Sequence, residues 1–168
     1  MKPIIHAARG VGLGLVLLAF ACTAQAADKA GEQAVHYPLT MQKMHAYFEA
    51  MLNMVMATAA SKDPKLADGL SVDADWTFDE DVAHFSKTPF RQAIEKAHLT
   101  PAEYVKIQDA YMGGAFGAAY EKMKGSLDNK VYDRHNVDFV KQHQEDIKKM
   151  QAAMQKEAAK LMPADEDD

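Results

Sequence analysis

Methionine and histidine side chains are the residues of this chain whose types and spacing could do chemistry. The chain has 11 methionines among 168 residues, and Met41, Met44 and His45 lie within one predicted helix. Thioether and imidazole groups are ligands that suit Cu(I). Met41 and Met44 also share a helical spacing with Phe48 and Val55, and methionine fills irregular gaps in apolar cores. The pattern therefore allows a copper site or a hydrophobic core, and the spacing favours the core.

His143 is the second candidate, because it lies on the apolar stripe of the last predicted helix between Val140 and Ile147. A neutral imidazole buried there needs a partner for each ring nitrogen. A histidine on the last helix and a methionine on the first are also a ligand pair for b-type haem in a helical bundle. No single methionine is marked as that second ligand. The sequence favours a core histidine and predicts no cofactor, with copper and haem kept as alternatives.

Gly113 and Gly117 form the third candidate, an interaction face on the predicted helix that runs from Thr100 to Lys124. They fall on the side of the helix that carries Lys106 and Lys124. An exposed helical glycine costs about 1 kcal/mol relative to alanine. Either this cost is tolerated, or a helix, a second subunit or a ligand approaches closely there.

Apolar residues cover an arc of about 200° on this same helix. One side of the arc consists of Tyr104, Ile107, Tyr111, Gly114 and Ala118. The other side consists of Val105, Met112, Phe116, Ala119 and Met123. So wide an arc predicts that the helix packs against two neighbours.

Residue patterns for catalysis or cation binding are not found in the sequence. Asp73 and Asp75 resemble the start of a calcium loop, but Phe78 stands where glycine is required and His84 where the final glutamate is required. The acidic run Asp79–Asp81 suits the positive end of a short helix instead. No nucleophile or acid–base pair is marked by spacing. The sequence thus favours a binding protein over an enzyme.

The first 26 residues have the pattern of a secretory signal peptide. Lys2 and Arg9 precede the apolar segment Val11–Phe20, which is too short to span a bilayer, and Ala24–Ala26 form a small-residue cleavage site. We therefore predict a signal peptide at residues 1–26 and a periplasmic location.

Cys22, the chain's one cysteine, offers an alternative. A lipoprotein would carry its lipid anchor on this residue. Bulky Phe20 and the lack of an aliphatic residue at position 19 disfavour that reading. With Cys22 removed, the exported domain has no disulfide and must be held together by its core.

Helical periodicity divides the rest of the chain into a flexible arm at residues 27–37, a helical domain at 38–162 and an acidic tail at 163–168. The long predicted helices are Pro38–Ala60, Thr100–Lys124 and Val137–Leu161. The short ones are Phe78–Phe85 and a helix that begins at Thr88-Pro89. No alternating strand pattern is present. The predicted fold is all-α, a small antiparallel bundle of three long and one or two short helices.

Local signals mark the predicted helix ends. Thr100 and Glu103 form a capping box with proline at the first helical position, and Gly125 ends that helix. Asn136 is the predicted cap of the last helix, and Pro163 closes it.

Charge and hydropathy limit the partners. The chain carries a net charge of −5, and removal of Lys2 and Arg9 with the signal peptide makes it more negative. This argues against nucleic acid or an anionic membrane surface as partner. We expect a protein partner or self-association, and no transmembrane span.

The segments Pro89–Tyr104 and Asn136–His143 resemble a group of small exported helical proteins of Gram-negative bacteria that have no assigned activity. The resemblance covers about Pro89–Ile147. It implies a periplasmic setting and an all-α fold, and it brings no functional residues. The sequence thus predicts a chaperone-like or adaptor-like binding module, with a Met/His copper or b-type haem protein as the alternative.

Overall fold

The computed structural model describes residues 29–61, 66, 69–70, 76–125 and 132–161. Within this part of the chain every regular secondary-structure element is a helix, so the predicted all-α class is confirmed. The helices are α1 Lys29–Val35, α2 Met41–Ala60, α3 Phe78–Phe85, α4 Phe90–Lys96, α5 Pro101–Lys124, α6 Arg134–Gln142 and α7 Gln144–Leu161. None of these described helices is long and apolar enough to cross a membrane. The predicted signal peptide and acidic tail lie outside the described residues.

Three of these helices are long: α2 has 20 residues, α5 has 24 and α7 has 18. The described residues also form four short helices, where the sequence predicts one or two. The additional short helices are α1 and α6.

Helix α1 replaces most of the predicted flexible arm. It packs against α5, and Ala34 on α1 is fully buried. Seven residues are too few to show a clear amphipathic period, and isolated helices of this length are unstable in water. The order of this segment therefore comes from its tertiary contacts, which local sequence signals do not report.

The start and end of α5 follow the predicted signals. The Thr100 hydroxyl accepts from the Glu103 amide at 3.2 Å, and the Glu103 carboxylate accepts from the Thr100 amide at 3.0 Å. Gly125 follows the helix in the left-handed region, with φ of 75°. Thr77 and Glu80 form the same capping box at the start of α3. The predicted boundaries of α3 and of the C-terminal end of α5 are confirmed.

Removing the Thr100 hydroxyl should weaken the fold through this cap. We expect Thr100→Ala to lower the free energy of unfolding by about 1 kcal/mol, because the Glu103 amide loses its acceptor. Urea denaturation measures the change. Thr100→Ser keeps the hydroxyl and should stay close to wild type. Equal losses in both variants would show that the hydroxyl is not the source of the effect.

The predicted last helix, Val137–Leu161, is two helices. Its first part begins earlier than predicted, because Asp133 and not Asn136 is the cap: the Asp133 carboxylate accepts from the Asn136 amide at 3.0 Å. The chain leaves helical geometry at His143, with φ −105° and ψ 15°. Helix α6 packs against α5 and α7 packs against α2. The bend lets one apolar stripe meet two different partners.

An aromatic cluster joins α2, α3 and α5 at the centre of the fold. The rings of Tyr47 and Tyr104 stack with centroids 5.1 Å apart, and Phe85 packs edge-on against Tyr104 at 4.9 Å. Met44 and Met54 of α2 are buried in the same core. The core interpretation of the methionine stripe is confirmed for Met44.

Asn136 links the segment between α1 and α2 to α6. The residue is 0% exposed, and its Oδ1 accepts from the Leu39 amide at 3.1 Å. Its Nδ2 donates to the Val35 carbonyl at 2.9 Å and to the Tyr37 carbonyl at 3.1 Å. One buried side chain therefore satisfies three backbone groups, one at the end of α1 and two in the segment that joins α1 to α2.

Candidate interaction surface

The two glycines predicted as an interaction face pack against helices of the same chain. Gly117 is buried against α6, where a Cβ atom would lie 2.5 Å from Val137 Cγ2. Gly113 faces α1, where a Cβ atom would lie 3.3 Å from Val35 Cγ1. The close neighbour expected at these positions is thus another helix of the chain.

The Met and His candidates on α2 lie in different environments. Met44 is fully buried in the core, whereas His45 is exposed and Met41 is half-buried. Adjacent helical residues are about 100° apart around the axis, which explains why Met44 and His45 face different surroundings. Among the described residues no group of three or more His, Cys, Asp or Glu side chains is placed to hold a metal ion.

His143 lies at the bend between α6 and α7, not in the middle of a continuous helix as predicted. It is half-buried, and its ring packs against Phe139 with centroids 4.6 Å apart. Its backbone carbonyl accepts from the Ile147 amide at 3.0 Å and so begins α7. With these contacts, His143 forms part of the corner between α6 and α7.

The C-terminal half of α5 exposes three large side chains, Phe116, Tyr120 and Met123, which we call the α5 apolar face. Their spacing of four and three residues places them on one side of the helix. Met123 is 74% exposed. Neighbouring exposed apolar side chains of this size are typical of surfaces that bind another protein.

A groove of about 790 Å³ lies beside this face, between α5 and the α6–α7 corner. Its apolar lining residues are Tyr111, Ala115, Ala118, Ala119, Val140 and Ile147. Ala119 is exposed and is three or four residues from Phe116 and Met123, so it joins the groove to the α5 apolar face. Alanine side chains along the groove leave room for another helix to approach closely.

The charged residues of the groove are mostly basic. Lys122, Lys141 and Lys148 line it, and Glu121 is its acidic lining residue. Glu121 contacts Lys141 at 2.9 Å and Arg134 at 2.8 Å, and these hydrogen bonds lower the pKa of its carboxyl below the usual value. Lys148 is itself paired with Glu145 at 3.0 Å, so the groove keeps a small excess of positive charge on a chain whose net charge is −5. An acidic partner complements it.

Comparisons of the chain with models of protein families, with curated proteins and with solved structures found no match. The resemblance of Pro89–Ile147 to small exported proteins therefore stays a prediction.

The sequence predicts correctly that Phe116 and Met123 lie on the same side of α5. It also predicts that a neighbouring helix covers this side. Val105, on the same side near the start of α5, is fully buried. Phe116 and Met123 near its end are exposed. The apolar pattern continues beyond the buried part of the helix, and this continuation is the signal that points to a partner surface.

Proposed function

We propose that this protein is an exported, antiparallel helical-bundle protein of the periplasm that binds a helical segment of another polypeptide, as a chaperone-like or adaptor-like module. The observation that carries the proposal is the α5 apolar face and its continuity with the alanine-lined groove. The signal-peptide pattern of residues 1–26 supports export. The copper and haem alternative has no comparable observation in its favour.

The occupant that fits this surface best is an amphipathic helix with acidic flanks. Its apolar side would cover Phe116 and Met123 and enter the groove over Ala115 and Ala118. Its carboxylates would meet Lys122 and the other lysines of the groove. Such recognition of an amphipathic helix depends on apolar anchors at helical spacing, and charge at the rim adds specificity.

A pair of synthetic peptides tests this proposal. Both carry leucines at helical spacing; one has glutamates on its flanks and the other has lysines. We expect the glutamate peptide to bind the protein and the lysine peptide to bind at least tenfold more weakly, as measured by fluorescence anisotropy. Met123→Glu should weaken binding of the glutamate peptide about tenfold or more, because burial of a methionine contributes roughly 1.5–3 kcal/mol.

Met56 provides a matched control, because it is also an exposed methionine but lies on α2 outside the groove. Met56→Glu should leave the affinity for the glutamate peptide unchanged. Binding that survives Met123→Glu would contradict the proposal. A wild-type dimer in light scattering that Met123→Glu dissociates would instead identify a second copy of the chain as the occupant.

A further inference from the structure

Asp81 of α3 is a buried carboxylate. The residue is 8% exposed, and its Oδ1 atom has no hydrogen-bond partner in the part of the chain that the structure describes. The sequence predicts that the acidic run Asp79–Asp81 lies at the positive end of a short helix, and the structure buries the last member of that run. A buried carboxylate oxygen without a donor costs free energy, because it loses water and gains no replacement.

Aromatic rings surround the position at which α3 meets α5. Phe85, one turn after Asp81 on the same side of α3, packs against Tyr104 of α5. Tyr104 in turn stacks on Tyr47 of α2. Burial raises the pKa of both tyrosine hydroxyls above the usual value, so they stay neutral where carboxylates titrate.

The described titratable groups that interact with Asp81 through charge are Tyr104 of α5 and Glu80 of α3, and Tyr104 stacks on Tyr47 of α2. His84 lies one turn further along α3, with its Nε2 2.7 Å from the Gly69 carbonyl oxygen. Burial, with the Glu80 charge adding to it, raises the pKa of Asp81 to about 6. Helix α1 also packs against α3. The charged residues of α1, Lys29 and Glu32, have side chains outside the described set.

We propose that α3 is a pH-dependent latch, which is held against α5 more tightly when Asp81 is neutral than when Asp81 is ionised. Burial of the neutral carboxyl group costs less free energy than burial of the carboxylate. Because burial, together with the Glu80 charge, raises the pKa of Asp81 from 3.8 to about 6, this contribution is fully present below the lower value. It is lost as the pH rises through the higher value. Release uncovers Phe85 and Tyr104, and so couples exposure of the aromatic cluster to pH.

Hydrogen exchange of the segment Phe78–Phe85, followed by mass spectrometry, tests the latch. Between about pH 4 and pH 7, after correction for intrinsic exchange, we expect the protection of this segment to fall by up to about a hundredfold. This limit follows from the difference between the two pKa values of Asp81, 3.8 and about 6, because each pKa unit corresponds to a factor of ten. The protection of α5 near Gly114 should change much less.

Two variants of Asp81 and one control separate the latch from general pH effects. Asp81→Asn and Asp81→Leu should both abolish the pH dependence of protection in α3. Asp79→Asn removes an exposed carboxylate from the same first turn and should keep it. The same pH dependence in wild type and in either Asp81 variant would overturn the proposal, and so would its loss in Asp79→Asn.

Discussion

Replacement of Asn136 by alanine should lower the free energy of unfolding by about 3 kcal/mol or more. The substitution removes the partners of three backbone groups, the Leu39 amide and the carbonyls of Val35 and Tyr37. Each buried group that loses its partner costs roughly 1–3 kcal/mol. Because Asn136 holds the Val35 carbonyl at the end of α1, α1 should also lose protection from hydrogen exchange.

Asn53 provides the control for this prediction. It is half-buried, and its Nδ2 donates to the Ala93 carbonyl at 3.2 Å. Asn53→Ala should cost about 0.5–1.5 kcal/mol. Urea denaturation of both variants gives the comparison. A loss for Asn136→Ala no larger than for Asn53→Ala would show that Asn136 does not hold the link in place.

Gly114→Ala should also destabilise the fold strongly, by about 1–3 kcal/mol, although alanine is the better helix former. A Cβ atom at Gly114 would lie 2.8 Å from the Asn136 carbonyl oxygen and 3.0 Å from Val140 Cγ2. The first contact is with backbone, so α6 as a whole must move away from α5. Thermal and urea denaturation measure the loss.

Gly113→Ala is the matched control in the same helix. Its Cβ atom would contact Val35 Cγ1 at 3.3 Å, and no other described atom outside the helix lies within 4 Å. We expect this variant to stay within about 1 kcal/mol of wild type, because the gain in helix propensity offsets the small shift that the Val35 methyl group must make. If Gly114→Ala proved as stable as Gly113→Ala, the close approach of α6 to α5 would be contradicted.

The sequence predicts the helices whose ends carry local signals. The capping box at Thr100 and the glycine at 125 bound α5, and both operate within one helical turn. The apolar stripe of α2 likewise predicts a buried side for Met44 and Phe48, because periodicity reports which residues face the core. Helix caps and apolar periodicity both depend on residues that are close together along the chain.

What the sequence does not reveal depends on contacts between distant segments. The stripe from Phe139 to Met154 keeps its helical phase across His143, so nothing in the spacing marks the bend. Asn136 resembles a cap, yet it is buried because residues 35–39 come to it from about 100 positions away. The groove exists only where α5 and the α6–α7 corner diverge. No local pattern specifies that divergence.

The methionine methyl groups provide the most direct test of the proposed binding surface. Their ¹³C-labelled NMR signals can be followed while the glutamate-flanked peptide is added. The account predicts a large shift of the Met123 signal, with little change at exposed Met56 on α2 or at buried Met44. An unchanged Met123 signal at saturating peptide, or an equal shift at Met56, would contradict it.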